Sequence, residues 1–133
     1  MTSFAIWIGG TWTTPPAAAM PIGVGDVNLP GAPIVRRHPP TARSGFGKPI
    51  GVDDERFAAV GRPYIDATGM AWWYTTVGIG SDTSKSVTVR LWNPVTQAWT
   101  AYSGTMWQPS YDQGRAAYKV TNFMVMFTNL QEV

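Results

Sequence analysis

The sequence predicts a mainly β protein, an antiparallel β-sandwich or barrel with a long Pro/Gly-rich extended N-terminal arm and at most one short helix. Three observations carry that expectation. From Tyr64 onward, aromatic and β-branched runs alternate with Gly, Pro and Asn, the composition of short strands and turns. Ser86 to Trp92 alternates at strand period, with Val87, Val89 and Leu91 facing one way and Thr88, Arg90 and Trp92 the other. Residues 9–51 hold eight of the eleven prolines, and proline neither donates to a ladder nor lets its predecessor turn helical.

Taken in order, the chain divides near residue 52. Residues 1–51 are expected to form a first short strand and the arm, and residues 52–133 the β domain. The arm either laces into a neighbouring subunit or wraps its own domain. If it laces, removing residues 9–51 leaves a folded domain that no longer assembles. Asp53, Asp54 and Glu55 suit the first turn of a short helix through Phe57, Ala58, Ala59 and Val60, stopped by Gly61 and Pro63. Met70 to Val77 reads as a strand between Gly69 and Gly78. Asn93 to Gln97 is a turn, with Ala98 to Tyr102 returning as the second strand of a hairpin. Thr105 to Trp107 reads as a further short strand ended by Pro109. In the closing strand, Phe123, Val125 and Phe127 share one face, and Val120, Met124 and Met126 the other. A strand apolar on both faces is covered on both, either by its own chain or by a partner.

Composition limits the function classes. Charged residues make up 14% of the 133, against about 25% in an ordinary soluble domain. A chain of this length buries a real core, yet much of its surface must be neutral. Seven Trp residues on such a chain point to contacts with other subunits, because large apolar patches associate. The net charge of +2 is too small for specific nucleic-acid binding, which needs a clustered basic stripe. The local cluster Arg36, Arg37, Arg43 and Lys48, with His38 inside it, is expected to solvate a loop or to pair with acidic residues of a neighbour. There is no cysteine, hence neither a disulfide nor a thiolate metal site. The first residues, MTSFAIWIGG, lack the basic start of a signal peptide, and no apolar stretch approaches the ~18 residues of a membrane span.

No catalytic constellation can be assembled, so no enzyme activity, cofactor, metal or small-molecule ligand is expected. His38 stands without an orienting partner. Asp53 to Glu55 are adjacent rather than opposed across a cleft. Gly78 to Ser86 lacks the glycine directly before lysine that a phosphate loop requires, and it leads into a strand, so it is read as a polar loop. An alternative is a carbohydrate-binding β module using Trp92, Trp99 or Trp107.

Tyr102-Ser103-Gly104-Thr105-Met106, Pro109, Tyr118 and then Asn122 to Val133 together resemble the end of small structural proteins of tailed bacteriophages. That resemblance spans about 30 of the 133 residues. It implies a non-catalytic virion subunit of β-sandwich or barrel type, repeated in rings or a tube along a tail, or used for capsid decoration. Its partners are then copies of itself and other virion proteins, with no membrane contact. The candidate subunit interface is Val120, Met124, Met126, Trp92, Trp107, Arg36 and Arg37.

Overall fold

The computed structural model describes residues 3–21, 32–37, 42–43, 49–50, 56–113 and 120–133. The strands in chain order are β1 (Ala5–Ile8), β2 (Thr11–Thr13), β3 (Arg36–Arg37), β4 (Ala42–Arg43), β5 (Pro49–Ile50) and β6 (Arg56–Ile65). A helical segment follows, α1 (Ala67–Ala71) running into a π-helical turn (Trp72–Thr76). The rest are β7 (Ser84–Asn93), β8 (Ala98–Trp107), β9 (Ser110–Gln113) and β10 (Val120–Glu132). The protein is mainly antiparallel β with one short helix, as composition and alternation lead one to expect.

The strands form one open sheet in the order β2-β1-β7-β8-β10-β6-β3, with β9 on β10, rather than two facing sheets or a regular closed barrel. β4 and β5 pair only with each other. The sheet curls strongly. Pro33 and Val35 exchange hydrogen bonds with Trp92 of β7 (2.8 and 3.0 Å), and directly after Val35 β3 pairs with Arg56 and Phe57 of β6. Strands that lie three places apart are thus joined by five residues of chain, so one layer can wrap its own core and no second sheet is needed.

Inside the curl sits the helical segment. Trp73 is almost fully buried, with ring centroids 4.9 Å from Trp72, 6.0 Å from Phe123 and 6.2 Å from Phe4. Around it pack Ile6, Val60, Val89, Leu91, Met106, Val125 and Phe127, the inward residues of five strands. The indole Nε1 of Trp73 donates to the Ala19 carbonyl at 3.2 Å, which meets the polar need of a buried tryptophan.

Two sequence expectations are exchanged. Phe57 to Val60 is strand, not helix: Ala58 and Val60 alternate inward and β6 pairs with β10 from Ala58↔Phe127 to Ile65↔Val120. Met70 to Val77 is helical, not strand. Asp66 caps it by accepting from the Gly69 amide at 2.9 Å, and Val77 N–H closes a π turn on the Trp72 carbonyl at 2.9 Å. On a strand Trp72 and Trp73 would point to opposite faces; in a helical turn both are buried on one side. Tertiary burial here overrides β propensity. Asp53 to Glu55 lie outside the described residues.

The described residues do not confirm an extended N-terminal arm. Gly9 (φ 60°) and Gly10 (φ 88°) make a two-residue turn between β1 and β2, which suits glycine because both residues need positive φ. Phe4 and Ile6 belong to the core, as do Ala19 and Val35. Arg62 donates to the Ala17 and Met20 carbonyls at 2.7 and 3.3 Å, tying the Pro15–Pro21 stretch down. Residues 3–21 and 32–37 therefore pack on their own domain, whereas β4 and β5 contact only each other among the described elements.

The hairpin is longer than Ala98 to Tyr102 suggests. β8 continues without a break to Trp107, absorbing the strand expected from Thr105, and pairs with all of β7 from Ser84↔Trp107 to Asn93↔Ala98. Gly104 permits this: a Cβ there would lie 2.7 Å from both Leu130 Cδ2 and the Thr128 carbonyl.

Candidate functional site

Because the sheet wraps its core, its inward positions are spoken for and its outward positions are what other molecules meet. On β10, Phe123, Val125 and Phe127 are buried, whereas Met126 is 38% exposed and Met124 half-buried. Val120 does not join them. Asn122 takes φ 53°, the alternation slips across it, and Val120 packs against the core opposite Ile65.

Trp107 neighbours Met126 on the outer face. It is 41% exposed, and its Nε1 donates to Thr128 Oγ1 of β10 at 2.7 Å, which fixes the ring across the β8–β10 boundary. Trp92 is at the opposite end of the β7–β8 ladder, half-buried with its ring 5.6 Å from Trp99. Arg36 is exposed at that same end, beside Arg56, Asn93 and Glu132. Arg37 lies in β3, with its side chain outside the description. His38 and Lys48 are among the undescribed residues, and Arg43 is placed only as backbone in β4. The predicted residues thus form two groups at opposite ends: Trp107, Met124 and Met126 at one, Trp92 and Arg36 at the other.

A second outer feature has no counterpart among the predicted site residues. Register sets Ser86 opposite Thr105 and Thr88 opposite Ser103, so four hydroxyl side chains tile adjoining outward positions of β7 and β8. They line a groove of about 580 Å³ that extends to Gln131 on β10 and to Trp7 on β1. Trp7 is 46% exposed; Trp12 meets it edge-on at 5.3 Å, and the Arg90 guanidinium lies 4.9 Å from the Trp12 ring centroid. The groove ends in a notch where β1 parts from β7 beyond Ile6. Among the described lining residues Lys85 is the one cation, and its Nζ donates to the Val77 carbonyl at 2.5 Å. No carboxylate lines it among the described residues. The signal for the block was present in the sequence: once the Pro94–Gln97 turn fixes the register, same-parity Ser and Thr on the two strands must fall side by side.

Among the described residues no three His, Cys, Asp or Glu side chains come together, and no helix is long and apolar enough to cross a membrane. Gly78 to Thr83 connects the π-helical turn to β7 rather than joining two strands, and Gln108 Nε2 bridges its Gly80 and Asp82 carbonyls at 3.2 and 3.0 Å. No family model matches the chain, and no curated protein and no solved structure matches it either, so its function has to be argued from these surfaces.

Proposed function

We propose that the chain is a non-catalytic structural subunit of a virion, forming rings or a tube in a bacteriophage tail through contacts between copies. The observation that carries it is the apolar group Trp107, Met124 and Met126 on the outward side of a sheet whose inward side is already filled. Beside this group, the outward positions of β7 and β8 are Ser, Thr, Ala and Trp, and Arg90 is their one charged residue. Such a surface offers little charge to hold water and associates readily. The likeness of the last strands to tail proteins supports the same conclusion.

A ring needs two unlike surfaces that meet head to tail. The apolar group over β8 and β10 is one, and the end carrying Trp92 and Arg36 is the other. The sandwich expected from the sequence then arises between copies, as a neighbour covers the outer face around Trp107, Met124 and Met126.

Sedimentation and negative-stain micrographs of the purified chain test this. Rings or tubes at micromolar concentration, lost in Met126→Lys while the circular dichroism is unchanged, are the expected result. A chain that stays monomeric at every concentration reached overturns it.

A further inference from the structure

We propose that the groove over β7 and β8 binds an uncharged oligosaccharide, an activity beyond the assembly role that uses outward residues other than Trp107, Met124 and Met126. Three properties of the groove select that ligand class. Its floor is the hydroxyl block Ser86, Thr88, Ser103 and Thr105, extended by the Gln131 amide. A hydroxyl both donates and accepts, and an amide side chain offers both groups, so such a floor pairs with the hydroxyls of a sugar whichever way they point. Cross-strand and along-strand spacings of about 5 and 7 Å put the groups within reach of successive hydroxyls of a pyranose chain.

The wall is Trp7, and its placement is held from behind. Trp12 supports it edge-on, and Arg90 is anchored over Trp12 by a 2.8 Å bond from its Nε to the Ser3 carbonyl. An aromatic ring fixed before the ligand arrives loses little freedom on binding, and its face suits the C–H side of a sugar ring. The third property is low charge. With no carboxylate among the described lining residues a cationic peptide finds no complementary charge, and Lys85, whose Nζ donates to the Val77 carbonyl, offers an anionic polymer a single cation rather than a basic stripe. The volume is within the range of ligand sites, roughly 300–1,000 Å³, although the groove is open rather than enclosed.

The test is calorimetric titration of the full-length chain with maltohexaose, cellohexaose and N-acetylated chitohexaose, with heparin and polygalacturonate as charged comparators. At least one neutral hexasaccharide is expected to bind with Kd on the order of 10 μM to 1 mM, and tryptophan fluorescence should shift with it. Trp7→Ala should weaken that binding about tenfold or more, as should the double variant Ser86→Ala with Ser103→Ala; the latter alters only exposed hydroxyls and leaves the fold intact. Trp107→Ala, outside the groove, should bind as the parent does. Absence of binding to all three neutral sugars overturns the proposal. So does binding that survives both groove variants, or a preference for either charged polymer. Sedimentation of the same samples reports assembly separately.

Discussion

The two faces of the curled sheet are built from the same strands by opposite rules. Inward, β7 presents Val87, Val89 and Leu91, and β8 presents Tyr102 and Met106, all in or against the core cluster that also holds the two tryptophans of the helical segment. Outward, the same strands present Ser86, Thr88, Ser103 and Thr105, with tryptophans only toward the ends. The inner face is specified by volume and fails when a side chain is removed or added. The outer face is specified by chemistry, so substitutions there should leave stability nearly unchanged and alter what the protein associates with.

The sharpest break of that contrast is deletion of residues 9–51. It takes Ala19 and Val35 from the core, strips the Trp73 indole of its acceptor, and removes the bonds from Pro33 and Val35 to Trp92. The truncated chain is expected to lose cooperative unfolding altogether. A folded, soluble remnant would show instead that the segment is an arm.

Next in size is Trp73→Ala. Removing the largest buried side chain at the centre of the aromatic cluster should cost about 3–5 kcal/mol in a denaturant titration, a large share of the ~5–15 kcal/mol that holds a domain together. Gly104→Val probes the converse fault. The added side chain meets Leu130 and the Thr128 carbonyl of β10, and overpacking of this kind costs about 1–3 kcal/mol. Asp66→Ala removes the cap of the helical segment and should cost about 1 kcal/mol.

These sites also show how much could be read from the residues. The hairpin around Asn93–Gln97 was legible because alternation and turn chemistry agree locally. So was the apolar outward side of Met124 and Met126, since β10 has more apolar residues than one face can bury. The exchange of helix and strand between Phe57–Val60 and Met70–Val77 was not. There the local signals favour the wrong state, and the outcome is set by Trp72 and Trp73 both finding room inside the curl, a long-range fact. Val120 was misplaced for a similar reason: strict alternation carries it outward, and one residue in left-handed conformation, Asn122, turns it in. The hydroxyl groove went unseen because serine and threonine on a strand face ordinarily signify only solvent.

On the outer face, Met126→Lys should change unfolding free energy by no more than about 0.5 kcal/mol, since the side chain is partly in solvent already. Assembly, if it proceeds through this face, should be lost. Met106→Lys, on the inner face of the neighbouring strand, serves as its opposite: the same substitution where the side chain is fully buried should unfold the chain. Should the two lysine variants behave alike, the division into two faces fails.

The smallest expected effect lies where the two rules meet, at the half-buried Tyr74. Burial raises its phenol pKa above the ordinary 10.0, and the nearby Tyr111 raises it further. Folding therefore favours the neutral phenol. Below pH 10 both folded and unfolded chains carry it protonated, and the shift contributes no pH dependence. As pH climbs past 10 the unfolded chain gives up the proton first, so stability falls until the folded group also ionises. Alkaline denaturation followed by tyrosinate absorbance should show this loss in the parent, and Tyr74→Phe should flatten it. Because burial is the larger cause, Tyr111→Phe should flatten it less. Equal effects from the two variants would place the origin in the pair rather than in the core edge that Tyr74 occupies.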